Sequence, residues 1–133
     1  MRLSNMADYG VVVMSAAARH CGSIRVSATD LAVETGLGLP TVQKLVSMMT
    51  KAGLLRSARG TGGGIQLARP AAAISLADII EAVEGPIAMT SCVETGNHSC
   101  AVLGKCHVQP HWGVVNNAVR GALSGINLTS LAR

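Results

Sequence analysis

Leu39-Pro40-Thr41-Val42-Gln43-Lys44-Leu45-Val46-Ser47-Met48-Met49-Thr50-Lys51-Ala52-Gly53-Leu54-Leu55-Arg56-Ser57-Ala58-Arg59-Gly60-Thr61-Gly62-Gly63-Gly64-Ile65-Gln66-Leu67-Ala68 changes its hydrophobic period halfway along. In the first half Val42, Leu45, Val46 and Met49 recur at helical spacing, and Pro40 suits the opening turn, where its missing N–H costs nothing. The helix should end near Ala52-Gly53. From Leu54 to Arg59 the chain reads as a strand, from Gly60 to Gly64 as a turn, and from Ile65 to Ala68 as a returning strand. The result is a helix followed at once by a β-hairpin with a basic, glycine-rich tip, where Arg59 can reach a phosphate or a narrow minor groove.

Upstream, Ser27-Ala28-Thr29-Asp30 supplies capping side chains for a short helix through Leu31, Ala32 and Val33, which stops at Gly36. Two short helices joined by a tight glycine-containing turn match the helix-turn-helix pattern, whose second helix lies in a major groove. Many helical hairpins are purely structural, and many β-hairpins are ordinary surface features. A hairpin directly after a helix-turn-helix is a winged-helix arrangement, far more specific than either part. A first helix from about Ser4 to His20 precedes it, with Met6, Tyr9, Val12, Val13, Ala16 and Ala17 on one stripe.

Downstream, Arg69-Pro70 closes the wing, and Ser75-Leu76-Ala77-Asp78 opens a helix with Ile79, Ile80 and Val83 on its apolar face, ending at Gly85-Pro86. From about His111 to Leu123, the residues Trp112, Val114, Val115, Ala118, Val119 and Ala122 predict a long helix too apolar for the surface of a small monomer. Its expected partner is the same helix of a second subunit. The fold class is therefore mainly α, a winged helix-turn-helix with a two-stranded wing and a long C-terminal dimerisation helix. Residues 1–86 form the DNA-binding domain, 87–110 a cysteine-rich loop, and 111–133 the dimerisation helix and tail, all in one compact unit.

The chain of 133 residues is 49% hydrophobic with no Phe, so its core must come from Leu, Ile, Val, Ala and Met. Its net charge of +4 is unevenly placed: residues 1–70 carry eight Lys/Arg against three acids, and residues 71–133 three against four. That asymmetry suits a polyanionic partner on the N-terminal half. No stretch reaches the ~18 apolar residues of a membrane span, and Asp8 interrupts the apolar N-terminus, so a cytoplasmic protein with no membrane association is expected.

Three of the four cysteines, Cys92, Cys100 and Cys106, fall within fifteen residues, separated by seven and five. In a reducing compartment such a group reads as thiols or metal ligands rather than disulfides. Structural zinc sites usually show tighter pairs, whereas wide spacing on a loop with Gly96 and Gly104 suits a bulkier iron–sulfur cluster, held by soft anionic thiolates. Free redox-active thiols are the main rival; a zinc-stabilised module without sensing is another. A thiol oxidoreductase would normally show a close Cys-x-x-Cys pair, which is absent, so no enzyme is expected. Cys21 reads as a small buried hydrophobe, and His20 and His98 as surface histidines.

The ordered motifs resemble one family, the winged-helix iron–sulfur transcription regulators that include IscR, NsrR and RirA. The carriers are Met1-Arg2-Leu3 with Asp8-Tyr9, Lys51-Ala52-Gly53-Leu54, Arg59 through Gly64, Leu67-Ala68-Arg69-Pro70, Ala77 through Pro86, the three cysteines, and Trp112 six residues past Cys106. Around Ser91-Cys92 and from Trp112 to Leu128 the chain looks most like proteobacterial regulators of the SUF iron–sulfur assembly operon. The resemblance implies a homodimer on a palindromic double-stranded DNA operator. It places Thr41, Gln43 and Lys44 in the major groove and Arg59 near the minor groove, with Arg56, Gly60 and Gly62 of the wing beside them.

It also implies one cluster per subunit, [2Fe-2S] or [4Fe-4S], on Cys92, Cys100 and Cys106. The IscR-like branch has a histidine three residues after its third cysteine, but Gln109 stands there. The resemblance to NsrR-like members makes Asp8, from the opposite subunit, the substitute fourth ligand, with His107, His111 and Glu94 as alternatives. Asp8 is expected beyond the first turn of its helix, where the helix dipole gains little from a carboxylate.

Overall fold

A computed structural model describes residues 2–20, 25–58, 60, 63–90, 93, 105 and 107–133. Helix α1 (Asn5–Arg19) starts at Ser4, whose hydroxyl accepts the Ala7 N–H at 3.1 Å. Its inward face is Ala7, Gly10, Val13, Met14, Ala16 and Ala17. This stripe is rotated from the expected one: Val12 is exposed, and Met6 and Tyr9 are half-buried. Close packing explains the rotation, because a Cβ at Gly10 would lie 2.9 Å from Met49 Cε and 3.1 Å from Val83 Cγ2. A side chain there would require Met49 and Val83 to shift, so glycine lets the helices approach closely.

Helix α2 (Ala28–Thr35) carries a reciprocal cap: Ser27 Oγ accepts the Asp30 N–H at 3.0 Å, and the Asp30 carboxylate accepts the Ser27 N–H at 3.1 Å. The hydrogen bond from the Ser27 backbone, then that from its hydroxyl, hold the Asp30 carboxyl below its ordinary pKa. The helix buries Leu31 and leaves Val33 81% exposed, so its predicted apolar face is narrower than expected. Helix α3 (Leu39–Lys51) buries Val42, Leu45, Val46 and Met49 as the periodicity predicts.

The exit from α3 sets the wing. Gly53, at φ 77°, donates to the Thr50 carbonyl at 3.1 Å, and Leu54 donates to the Met49 carbonyl at 2.9 Å. These two bonds form a Schellman closure with buried Leu54 and Met49 beside it, and its left-handed backbone favours glycine. Strands β1 (Leu55–Ala58) and β2 (Gly64–Leu67) then pair antiparallel, with Leu55 opposite Leu67 and Arg56 opposite Gln66. Val26 adds an unforeseen bridge to Ile65, with bonds of 3.3 and 2.7 Å. Gly64 permits it: at φ 141°, a Cβ there would lie 2.8 Å from Arg25 Cβ.

After a single 3-10 turn (Ala71–Ala73), helix α4 (Leu76–Glu84) is capped reciprocally by Ser75 and Asp78 and buries Ala77, Ile79 and Ile80. Helix α5 is Gln109–Ser124, and a short α6 (Leu128–Leu131), absent from the sequence reading, follows it. Leu128 is fully buried in the same core as Val13, Leu45 and Ile79, and its N–H donates to the Ile74 carbonyl at 2.8 Å. The chain end is thus packed into the head formed by α1–α4 and the wing. No helix among the described residues is long and apolar enough to cross a membrane.

Candidate nucleic-acid interface

Burial of Val42, Leu45, Val46 and Met49 turns the opposite side of α3 outward. Gln43, Lys44 and Ser47 are exposed, and Thr41 is half-buried at the helix start. Spacings of three and four place Ser47 on the stripe of Lys44 and Gln43, and a hydroxyl there can bond to a base edge or a phosphate. The sequence reading passed over Ser47; the signal was its position opposite the buried face.

Helix α3 contains Lys44 and Lys51 but no acid. The two acids of α2 are engaged elsewhere: Asp30 caps its own helix, and Glu34 faces Arg19 at 3.2 Å and His20 at 2.6 Å. The His20 hydrogen bond holds the Glu34 carboxyl below its ordinary pKa, against a smaller opposing effect of burial and with further help from Arg19. His20 therefore does more than sit on the surface, since it ties the end of α1 to the helix-turn-helix. The outward side of α3 thus carries Lys44 with no acid on the same helix, while Glu34 is paired with cations of α1.

The wing adds two guanidinium groups. Exposed Arg56 donates to the Ala68 carbonyl at 3.1 Å, and Arg25 Nε donates to Gln66 Oε1 at 3.2 Å. With Ser57, Ala58 and Gly64 they line a cleft of about 150 Å³. Arg25 lay between helices in the sequence, with no pattern to mark it; the bridge of Val26 to Ile65 brings it to the wing. Gly60 is exposed, and its carbonyl accepts the Gly63 N–H at 2.9 Å, closing the tip. Arg59 and Gly62 lie outside the described residues, so the expectation of a minor-groove contact stands as read.

Cys92, Cys100, Cys106, Glu94 and Cys21 also lie outside the described residues, and so does His98. His107 is exposed just before α5, and His111 is exposed in its first turn. Asp8 is exposed in the first turn of α1. That corrects the expectation that it lies beyond the first turn: Ser4 is the cap, the helix starts at Asn5, and a carboxylate there gains from the helix dipole. Asp8 therefore has a local reason to be acidic.

A four-helix head, an acid-free outward helix and a basic hairpin beside it define a winged helix-turn-helix protein that binds DNA. The sequence matches the Rrf2 family, described as iron-dependent transcriptional regulators, over residues 3–133. The HTH-type transcriptional regulator ORF2 of Azotobacter vinelandii is 33% identical over 98% of this chain and 79% of its own. The HTH-type transcriptional regulator IscR of Vibrio cholerae is 31% identical over 98% of this chain and 75% of its own. Among solved structures, CymR, the global cysteine regulator of B. subtilis, superposes with a TM-score of 0.79 at 31% identity, covering 99% of this chain and 96% of that one. IscR of T. potens gives 0.70 at 29% identity, over 97% and 84%. The chain belongs to the Rrf2 family of transcription regulators. It is IscR-like, and its relatives are regulators of transcription rather than enzymes.

Proposed function

We propose that this regulator senses iron–sulfur cluster status and adjusts its grip on DNA accordingly. The observation that carries the reading is three cysteines within fifteen residues, placed just ahead of α5, in a chain of a family described as iron-dependent. The donor set fits: thiolates are the usual ligands of iron–sulfur clusters. Cys92, Cys100 and Cys106 would hold one cluster per subunit, [2Fe-2S] or [4Fe-4S], and Asp8 of the opposite subunit would complete it, with His107, His111 and Glu94 as the alternatives. When bound, the cluster supplies redox and nitric-oxide sensitivity. An oxygen ligand exchanges more readily than a thiolate, which suits a sensor.

The dimer follows from α5, where Val114 is 69% and Val115 40% exposed on a helix that needs an apolar partner. Two heads related by a two-fold axis read a palindromic operator. Coupling requires that cluster-bound and cluster-free forms favour different arrangements of the heads, and an inter-subunit ligand supplies that difference. The likeness to SUF-operon regulators names genes of iron–sulfur assembly as targets, alongside iron, redox and nitric-oxide response genes.

A second reading has its own support: CymR is a structural neighbour, and one such structure, from Staphylococcus aureus, is of an oxidized form, at TM-score 0.74 and 32% identity over 100% of this chain and 97% of that one. In that reading the three thiols act directly as a redox switch. Anaerobic purification with a visible spectrum and iron and sulfide analysis separates the readings. Brown protein with stoichiometric sulfide supports the cluster. Colourless protein with zinc, or with no metal and a DNA affinity that follows thiol oxidation, overturns it.

A further inference from the structure

Helix α5 meets its own head through half-buried Val119 and Leu123, which line one cavity with Leu3 and Ile80, and through a set of polar contacts. Among its described side chains the buried one is Asn116, 8% exposed, while Val114 and Val115 face outward. Asn116 Nδ2 donates to the Ile87 carbonyl at 2.9 Å, and its Oδ1 accepts the Met89 N–H at 2.7 Å. One turn on, Arg120 donates to Glu81 Oε1 of α4 at 2.7 Å, and the other Glu81 oxygen accepts the Ile87 N–H at 2.9 Å. These residues form one network joining α4, the connecting segment and α5.

Such a network has one solution. An apolar helix face can slide with modest loss, but a carboxamide that both donates to and accepts from one backbone segment fits at one register. Moving α5 by one residue swings Asn116 about 100° away and leaves both backbone groups unpaired. We propose that Asn116, with the Glu81–Arg120 pair, is a positioning device that fixes the register of α5 on its head. It thereby sets the spacing between the two DNA-reading heads of the dimer. The proposal rests on the reading of α5 as the dimer helix. Its role is specificity rather than stability, as polar pins in apolar interfaces can have.

The test uses the full chain and a palindromic duplex selected by the wild type from a random-sequence pool. Asn116→Leu removes both hydrogen bonds, Asn116→Asp keeps the acceptor alone, and Arg120→Met breaks the ion pair. Each is measured against the selected palindrome, against versions with the half-sites one base pair closer or farther, and against a single half-site, with sedimentation and a thermal melt alongside. The expected result is that Asn116→Leu stays dimeric and binds the half-site like wild type, but loses about tenfold of its preference between spacings. Asn116→Asp should fall between. Wild-type spacing preference in Asn116→Leu overturns the proposal. If that variant does not melt cooperatively, Arg120→Met, at a half-exposed site, decides by the same measurement: loss of preference supports the pin, and retention sinks it. A wild type that sediments as a monomer overturns the dimer reading itself, and the pin with it.

Discussion

The head and α5 bury opposite things. In the head, Val13, Met14, Leu31, Leu45, Met49 and Ile79 are fully buried in one core, and Leu45, Met49 and Val83 close on Gly10, where α1, α3 and α4 meet. Among the described side chains of α5 the buried one is an asparagine, and Val114 and Val115 face outward. The head's apolar interior is one core that holds α3 and the wing in a fixed relation. Helix α5 sets half-buried Val119 and Leu123 beside Ile80 and adds hydrogen bonds that fit one register; in the proposed dimer its exposed valines meet a second copy. Stability and register are assigned to different parts of one small chain.

The largest effect that tests this contrast is in the head. Leu45→Ala removes a fully buried side chain beneath the recognition helix and should cost about 2 to 5 kcal/mol of unfolding free energy, read from urea melts. Val114→Ala, at a 69% exposed site, should leave the dilute monomer within about 0.5 kcal/mol of wild type yet weaken self-association seen by sedimentation. Equal losses from the two substitutions in the unfolding of dilute protein would break the comparison.

Next in size are the proposed cluster and DNA contacts. Substituting Cys92, Cys100 or Cys106 by Ala should abolish cluster binding after anaerobic reconstitution, while Cys21→Ala should leave iron content unchanged; equal iron loss in Cys21→Ala refutes the ligand assignment. On the DNA side, Arg59→Ala should weaken operator binding by about 1 to 3 kcal/mol, and Lys44→Ala should also lower the salt slope. Arg56→Ala should do less than Arg59→Ala, because Arg56 is already bonded to the Ala68 carbonyl. Unchanged affinity for Arg59→Ala at moderate salt would remove the wing from the interface.

Most of the head was legible because local chemistry and global packing agree there. Ser27, Ser75 and Gly53 marked helix ends that the structure keeps, and the spacing of Val42, Leu45, Val46 and Met49 gave the inward face of α3. The rotated stripe of α1 escaped notice because large apolar residues dominate a periodicity, whereas the contact is made by Ala7 and Gly10. Val26 and Leu128 join the head through pairing with residues distant in sequence, which no local pattern carries. Within the candidate site, Gln43 and Lys44 came from the family resemblance, and both lie on the exposed side of α3. Arg25 and Asn116 were not readable, since their roles arise from backbone groups that tertiary folding brings to them.

The smallest effect concerns acid and bears on how α5 is held. Burial pushes the Glu81 carboxyl up, but the hydrogen bonds from Arg120 and the Ile87 N–H, with the Arg120 charge, outweigh it and leave the pKa below its ordinary 4.5. A carboxyl depressed in the folded state gives a contribution that is complete above its unfolded value and is lost as pH falls through the folded one. The Glu81–Arg120 link should therefore be fully present at neutral pH and loosen only below about pH 4.5. Glu81→Gln can still accept the Ile87 N–H but carries no charge, so it should melt lower than wild type at pH 7, by about 2 °C or less, since the Arg120 end of the pair is half exposed. The gap should close as pH drops through the carboxylate range, because wild type then loses the same charge. A gap that persisted unchanged to pH 3 would mean the ionic part of the link contributes nothing, leaving Asn116 as the sole polar hold on α5 among the described residues.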